Sequence, residues 1–467
     1  MSRSRVAVLG GGVSGLVAAL DLVDAGADVK VLEARPDPGG LLRRQPVGGV
    51  DLDVGVEAFL ARRPEGVALV ERLGLTHRLT SPTAAAAAVW RRDGVRRLPR
   101  GTVLGVPGHG TDLSGVLRPA ELAETEAALR AAAGGGRRDR PKGGRRDDVA
   151  VATAVVGEVG RPVLDVLVEP LLGGVHAGRT DELSLRSVVP QLWRAWQDGT
   201  PFADAVDAMG SAATPGAPVF TGVDGGTSLL ADAAVDALRR AGARVRTGAL
   251  VHGLEREGAG WRVRLPEEAL DVDAVVVALP LTAAARLLRP VVPAAAALLE
   301  QVPVVGVGVV ALAVEGDVPE RSGLLVPPSE AAAAGVQAKA VTFSTRKWAW
   351  LAERAAGRHL VRVSYGRRGD AGALRRDDAD LVDLAARDLA TLLAVDDVPA
   401  PRVVDATVAR WGGALPQHTV GHVDRVAAVR RLVVEQPGLA VAGGWTDGVG
   451  VPACIASGAR AAAALTP

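Results

Sequence analysis

The chain has 467 residues, 48% of them hydrophobic, which is more than one core usually accommodates, so we expect two or three domains. Because 54 Lys and Arg nearly balance 53 Asp and Glu, the net charge of +1 gives no general attraction for nucleic acid, and we expect no nucleic-acid partner. A single cysteine, the lack of a secretory leader in MSRSR and the lack of an uninterrupted apolar stretch of membrane-spanning length predict a cytoplasmic protein. Peripheral contact with the inner face of a membrane stays open.

The first predicted unit is a strand, a tight turn and a helix. Residues 6–9 are apolar throughout, as in a parallel strand buried on both faces, and apolar residues recur at helical spacing over 13–23. Between them, Gly10, Gly12 and Gly15 fit the pattern G-x-G-x-x-G. These glycines permit the turn, the approach of a pyrophosphate and close packing of helix on strand. The helix N-terminus suits a diphosphate without a lysine.

A second predicted strand, 29–32, ends at Glu33, which lies 33 − 15 = 18 residues after the last glycine of the turn. A carboxylate there can accept hydrogen bonds from both ribose hydroxyls of an adenosine, so NAD and FAD both fit this unit. The glycine pair Gly39 and Gly40 then offers a second close approach of the backbone to a ligand. The stretch EARPDPGGLLRR, residues 33–44, resembles the extended FAD fingerprint of amine-oxidase-like flavoproteins. The resemblance implies FAD.

The middle and the end of the chain complete the predicted pattern. Residues 99–214 are rich in alanine and predict helices, interrupted by a glycine-rich basic run at 134–148 that we interpret as a mobile loop. Residues 219–265 predict an amphipathic helix followed by two strands with a turn, and 273–280 predict a buried strand. The last segment, 438–465, predicts a strand, a glycine-rich loop and a helix lined with small residues. One domain would therefore be assembled from both ends of the sequence.

Several stretches resemble one family over nearly the full length: the FAD-dependent protoporphyrinogen and coproporphyrinogen oxidases, especially the bacterial enzymes that form coproporphyrin. The stretches are DLDVGVEAFLARRPEGVALVERLGL (51–75), LPRGTVLGVP (98–107), VEPLLGGVHAGRTDELSLRSVVPQL (168–192), SGLLVPPSE (322–330), TFSTRKW (342–348), RWGGALPQHTVGH (410–422) and DGVGVPACIASG (447–458). The resemblance implies oxidation of coproporphyrinogen III to coproporphyrin III in haem biosynthesis. In that reaction flavin N5 accepts hydride, oxygen reoxidises the flavin, and hydrogen peroxide is released.

The same resemblance implies an α/β fold with a Rossmann-like FAD-binding domain, a mixed α+β substrate-binding domain and a helical domain. We predict that the FAD-binding domain comprises 1–60, 215–280 and 402–467, and that the substrate-binding domain comprises 61–98 and 281–401. The helical domain, 99–214, would contact a membrane or neighbouring haem-pathway enzymes.

The predicted site has two groups of residues and no catalytic side chain, because flavin N5 is the hydride acceptor. The predicted cofactor-binding residues are Gly10, Gly12, Gly15, Glu33, Gly39, Gly40, Arg43, Gly55, Val251, Asp447 and Val449. The predicted substrate-binding residues are Arg63, Arg62, His176 and Lys347, which would meet a macrocycle whose propionates require cations at the mouth of the pocket. A solvated arginine pair, a packed histidine and a surface lysine are the structural alternatives.

Other chemistries receive little support from the sequence. His418 and His422 are four residues apart, but Pro416 and Gly421 argue against a helix carrying both, so we expect no metal site. Thr446 and Ala453 depart from residues that are often tyrosine and acidic in the family. The alternatives that stay open are protoporphyrinogen IX oxidase, another FAD amine or polyene oxidase, and a non-catalytic porphyrin-binding flavoprotein.

Overall fold

The computed structural model describes residues 3–133, 147–211 and 218–466. The strands are β1 Arg5–Leu9, β2 Asp28–Leu32, β3 Arg44–Val47, β4 Val50–Asp53, β5 Phe59–Leu60, β6 Leu79–Thr80, β7 Ala87–Arg91, β8 Gly94–Arg97, β9 Thr102–Val103, β10 Val106–Pro107, β11 Phe220–Val223, β12 Arg244–Arg246, β13 Gly253–Glu257, β14 Gly260–Arg264, β15 Ala269–Val272, β16 Ala274–Val277, β17 Val304–Glu315, β18 Gly323–Leu325, β19 Ala340–Phe343, β20 His359–Tyr365, β21 Arg402–Pro416 and β22 Leu439–Val441.

The helices are α1 Val13–Asp24, α2 Pro64–Arg72, α3 Pro119–Ala133, α4 Val151–Val159, α5 Arg161–Val163, α6 Glu169–His176, α7 Leu185–Val188, α8 Pro190–Asp198, α9 Phe202–Ser211, α10 Leu229–Arg240, α11 Leu281–Leu288, α12 Pro293–Glu300, α13 Pro328–Ala334, α14 Ser344–Lys347, α15 Ala349–Arg354, α16 Asp378–Ala394, α17 His422–Val434, α18 Gly444–Asp447 and α19 Val451–Ala463. A π-helical segment, Leu164–Val168, joins α5 to α6, and short 3₁₀ turns occupy Thr76–Arg78 and Ala373–Arg375.

The first sheet has five parallel strands in the order β12-β2-β1-β16-β22. Its central strands are apolar on both faces because helices cover one side and a second layer covers the other; all four residues of β16 are buried. The carboxyl ends of β1 and β2 lead directly into Gly10 and Glu33, and β22 leads through Ala442 into Gly443. The predicted α/β fold is confirmed, and both ends of the chain contribute strands to one sheet.

Two helices from opposite ends of the sequence pack on one face of this sheet. Helices α1 and α19 cross so closely that a Cβ at Gly458 would overlap the carbonyl oxygen of Ser14. The small residues predicted along the last helix therefore serve a close helix–helix contact. On the other face, the antiparallel sheet β13-β14-β15 packs with α11, α12 and α17 around buried Trp261 and Leu288.

The second sheet has seven strands in the order β21-β17-β20-β19-β18-β7-β8, antiparallel except for the parallel pair β18 and β7. Helix α16 covers one face, where the Tyr365 hydroxyl donates a hydrogen bond of 3.1 Å to buried Asp388. Residues 402–416, which we grouped with the FAD-binding domain, instead pair with β17 along nearly their whole length. The reason is strand length: β21 has 15 residues and β17 has 12, so β21 can pair along most of its length with β17 but not with the short parallel strands. The division into three domains is otherwise a prediction.

The alanine-rich region forms helices α3 to α9 around its own apolar cluster, which includes Leu164, Leu192 and Phe202. The predicted loop at 134–148 lies outside the described residues except for Asp147 and Asp148. Within the described part of the chain, no helix combines the length and apolar character needed to cross a membrane.

Candidate functional site

The glycine turn after β1 is built by close backbone contacts. Gly10 has φ +105°, and a Cβ there would lie 2.5 Å from the carbonyl oxygen of Ala278 on the neighbouring strand. A Cβ at Gly15 would overlap the Gly10 carbonyl oxygen, so α1 can pack against the turn only when residue 15 is glycine. These two positions therefore determine where the helix begins relative to the strand.

Gly12 has a different role, because a Cβ there would meet no atom within 4 Å. It is the N-cap of α1, with φ −74° and ψ 173°, and the first helix contains no acidic residue in its first turn. The first intrahelical bond runs from Leu16 N–H to the Gly12 carbonyl, 2.9 Å, which leaves the preceding N–H groups without intrahelical partners. Free N–H groups and the positive end of a helix dipole suit a diphosphate.

Glu33 follows β2 and lies against the same turn. Its carboxylate accepts hydrogen bonds from Gly11 N–H and Arg35 N–H, both 2.8 Å, with one bond on each oxygen. Two backbone donors thus fix the orientation of the carboxylate and leave further lone pairs for a diol. The Gly39 N–H donates to the Gly11 carbonyl oxygen at 2.7 Å, so the glycine pair is joined directly to the turn. A Cβ at Gly40 would lie 3.3 Å from Gly12 Cα.

Val251 is 7% exposed and lies between β12 and β13. Among the described residues, neither its backbone N–H nor its carbonyl oxygen has a hydrogen-bond partner. Buried backbone groups are almost always paired, so this pair of a donor and an acceptor is available to a ligand such as adenine. The assignment of Val251 to the cofactor stays a prediction.

The loop after β22 carries the predicted residues Asp447 and Val449. The Asp447 carboxylate is held by Arg430 at 3.0 and 2.6 Å, with Arg460 at 3.6 Å. Burial would raise the pKa of this carboxyl, but the hydrogen bond and charge of Arg430 outweigh burial and lower it. Asp447 is therefore an ionised anchor of its loop. Cys454, in the first turn of α19, lies beside Ser14 of α1, so the N-terminal ends of both helices meet near the glycine turn.

A third loop, residues 54–57, approaches the turn from the side of the second sheet. A Cβ at Gly55 would overlap the carbonyl oxygen of Leu41, and Val54 N–H donates to the Arg43 carbonyl at 2.9 Å. Among the described residues, the ion pair of the Arg43 guanidinium is a long one, 3.9 Å, to Asp37. Arg44, in contrast, is paired at 2.7 Å with Asp232. The geometry leaves Arg43 the freer of the two.

Glu57 in this loop is the centre of a buried ion cluster. It contacts Lys347 at one oxygen and Arg362 at 2.7 Å from the other, and Arg362 also donates to the Gly55 carbonyl at 2.6 Å. Burial would raise the pKa of the Glu57 carboxyl, but the two cations lower it to about 2. The cluster fastens the glycine-containing loop to the second sheet. Lys347 is thus partnered, and its predicted contact with substrate stays a prediction.

The two arginines before α2 have different surroundings. Arg63 forms a two-point ion pair with Glu65, at 3.1 and 2.6 Å, and its side chain is 43% exposed. Arg62 is exposed. Exposed pairs of this kind contribute little to stability, so Arg63 can exchange Glu65 for another carboxylate at small cost. The structure does not bring Arg63 into contact with Lys347.

Three buried histidines lie together at the end of α6. The rings of His418 and His422 stack with centroids 4.0 Å apart, and His176 lies 6.2 Å from His418. Burial lowers the pKa of His176 and His422 to about 3 and that of His418 to about 4. Nε2 of His418 lies 3.1 Å from the Gly444 carbonyl oxygen, and Nε2 of His422 lies 3.0 Å from the Trp445 carbonyl oxygen.

These contacts show that the histidine pair holds α18 by two consecutive carbonyls. His422 begins α17 and His418 precedes it, so no single helix carries both. No cluster of three or more side chains suited to a metal occurs in the described ranges. Within the part of the chain described, the Nδ1 atoms of His176 and His422 are both buried without a hydrogen-bond partner, whereas Nδ1 of His418 lies 2.9 Å from the Ser187 hydroxyl.

Sequence reasoning missed the partners that join distant segments. Arg362 is a charged residue inside the apolar strand HLVRVSY, an anomaly that marks a buried polar contact. The histidine pair was interpreted only as a rejected metal site. In both cases the sequence drew attention to the residue, but its hydrogen-bonding or ion-pair partner lies far away in the sequence.

Comparison with known proteins assigns the family. A family model described as flavin containing amine oxidoreductase matches residues 13–466. The chain belongs to this family. This flavin oxidoreductase is 37% identical to the coproporphyrinogen III oxidase of Mycobacterium leprae, with 100% of this chain and 99% of the relative covered. It is 27% identical to human protoporphyrinogen oxidase, with 98% of each chain covered.

Solved structures support the same fold for this flavin oxidoreductase. A crystal structure from Exiguobacterium sp. 255-15, which carries the provisional name protoporphyrinogen oxidase, gives a TM-score of 0.84 at 24% identity. The alignment covers 100% of this chain and 99% of the other. The fold is therefore that of amine-oxidase-like flavoproteins, as the sequence predicted.

The cofactor of this flavin oxidoreductase is FAD, and the residues present fit it. The open space at Gly12, the two anchored oxygens of Glu33 and the unpaired backbone of Val251 would hold the pyrophosphate, ribose and adenine respectively. When bound, FAD supplies the two-electron acceptor. The chain itself supplies backbone N–H groups at the start of α1 for the phosphates, together with a loop fixed by Glu57.

Proposed function

We propose that this flavin oxidoreductase oxidises coproporphyrinogen III to coproporphyrin III in haem biosynthesis, with oxygen as the final acceptor. The observation that carries the proposal is full-length similarity to coproporphyrinogen III oxidases at 37% identity, against 27% for protoporphyrinogen oxidase. Protoporphyrinogen IX is the second candidate substrate because the two macrocycles share the same reacting ring. Contact with neighbouring haem-pathway enzymes or with a membrane surface stays a prediction for α3 to α9.

The chain offers an apolar wall for such a macrocycle close to the cofactor loop. Ala177, Val305 and Leu415 form a small buried cluster against which Val449 packs. We propose that the neutral ring of His176, which directly precedes this cluster in the chain, forms part of the wall that faces the substrate. The protein's contribution is then orientation of the ring and exclusion of water.

The proposal is tested by adding each reduced macrocycle anaerobically to the purified holoenzyme. We expect coproporphyrinogen III to bleach the oxidised-flavin absorbance, and porphyrin fluorescence to appear with hydrogen peroxide when air is admitted. Protoporphyrinogen IX should bleach it more slowly. Cyclohexylamine serves as the control for an amine oxidase. Bleaching by the amine alone, or by no compound, contradicts the proposal; faster bleaching by protoporphyrinogen IX selects the second candidate substrate.

Arg63 is proposed to contact a propionate at the mouth of the pocket. Arg63→Ala should raise KM for coproporphyrinogen III by about tenfold and leave kcat within about twofold, because one charge-assisted contact is lost in ground and transition states alike. Arg239→Ala is the control, since this arginine of α10 is 59% exposed at its side chain and belongs to no predicted site. Steady-state kinetics at constant ionic strength measure both variants. Equal constants for Arg63→Ala and the unmodified enzyme would remove Arg63 from the site.

A further inference from the structure

Lys339 is buried and Arg367, close to it, is half-buried, and neither cation has an anionic partner among the described residues. Lys339 is 6% exposed, and among the described residues its ammonium has no hydrogen bond and no ion pair. One terminal nitrogen of Arg367 donates to the Val326 carbonyl at 2.6 Å and reaches the Lys339 carbonyl at 3.4 Å. Within the described ranges, Arg367 likewise forms no ion pair. Glu169 and Asp370 attract it only from beyond ion-pair distance.

Both cations lie where the second sheet meets the helical region. Lys339 precedes β19 and donates its backbone N–H to Ser364 of β20 at 2.8 Å; Arg367 follows the end of β20. The next residue, Arg368, donates its N–H to the Ala177 carbonyl at 2.7 Å. Ala177 belongs to the apolar cluster proposed as the wall of the substrate pocket. The two cations are therefore beside the same end of α6 as His176.

Other buried cations of this protein are neutralised. Arg91, 2% exposed at its side chain, pairs with Glu121 at 2.6 Å and with Glu330 at 3.2 Å. Burial of an unpaired charge is costly, and two like charges increase that cost. Burial, followed by the charge of Arg367, lowers the pKa of Lys339 to about 8. The Lys339 ammonium is not fully occluded, so a ligand in the adjoining space can reach it.

We propose that Lys339 and Arg367 form a binding site for a carboxylate of the substrate, a propionate in the case of coproporphyrinogen. An ammonium with free donors beside a guanidinium is suited to a carboxylate, and the pairing would restore the charge balance that the protein alone lacks. This inference depends on the proposed function for the identity of the carboxylate. It adds a second point of propionate recognition to the one proposed for Arg63.

The test compares binding of coproporphyrin III and of its tetramethyl ester to the holoenzyme, followed by quenching of porphyrin fluorescence. Lys339→Met should weaken binding of the acid by about tenfold and leave binding of the ester unchanged, because only the acid carries the charge. Lys339→Arg should restore most of the affinity. Lys30→Met, on β2 of the first sheet, is the matched control and should change neither affinity.

Equal losses for acid and ester, or unchanged affinity for the acid, would overturn the proposal. Lys339→Gln provides a second neutral variant if the methionine variant folds poorly, as judged by its melting temperature. The proposed function fails separately, when the unmodified enzyme oxidises neither porphyrinogen. The comparison of acid with ester still reports on the carboxylate site in that case, because it requires no turnover.

Discussion

Replacing Gly12 by alanine should weaken FAD binding by about 100-fold while leaving the free energy of unfolding of the apoprotein within about 1 kcal/mol of the original value. The reason is that an alanine at position 12 would cause no backbone strain but would fill space that the cofactor needs. The backbone of Gly12, φ −74°, is one that alanine adopts readily, and a Cβ would touch no protein atom within 4 Å. The added methyl group would occupy the space through which a pyrophosphate approaches the helix N-terminus.

Two further glycine substitutions complete this experiment. Gly15→Ala should lower the stability of the apoprotein as well, by about 1–3 kcal/mol, because its Cβ overlaps the Gly10 carbonyl oxygen. Gly157→Ala, in α4, is the neutral control, since a Cβ there meets no atom within 4 Å. Titration of each apoprotein with FAD and urea unfolding without FAD are the measurements. Unchanged FAD affinity in Gly12→Ala would show that the pyrophosphate does not lie there.

The cradle was predictable because its determinants are local. Gly10, Gly12 and Gly15 follow a strand and open a helix, and Glu33 follows the next strand; each relation is one of spacing in a short segment. The parallel sheet then brings the carboxyl ends of its strands to one edge without further information. For this reason the turn, the start of α1 and the position of Glu33 beside the turn follow from the sequence, and the contact of these residues with FAD stays a prediction.

The contacts on the substrate side of the site could not be predicted in the same way, because they join residues that are far apart in the sequence. Glu57 meets Arg362 across 362 − 57 = 305 positions, and no spacing rule connects them. The membership of 402–416 in the second sheet depends on the length of β17, which periodicity alone does not match to a partner. No local pattern in the alanine-rich stretch around Lys339 marks this lysine as buried, because its 6% exposure depends on elements distant in the sequence.

Glu57→Gln should destabilise the protein by about 3–5 kcal/mol, the largest stability effect that we expect. The amide would leave Lys347 and Arg362, whose side chains are only 19% and 8% exposed, with unpaired charge. The same change should loosen the loop that carries Gly55, so FAD affinity should fall too. Urea unfolding at neutral pH measures the first effect. Glu65→Gln is the matched control, because its pair with Arg63 is largely exposed and worth little.

The pH dependence of the free energy of unfolding shows whether Glu57→Gln acts by removing a charge or by altering packing. The pKa of Glu57 is lowered to about 2 in the folded protein, from an ordinary value of 4.5. A lowered acid pKa contributes stability that is fully present above 4.5 and disappears as the pH falls through about 2. The stability difference between the original protein and Glu57→Gln should therefore shrink between pH 4.5 and 2. A difference that stays constant over this range would mean that packing, not the buried carboxylate charge, holds the loop to the second sheet.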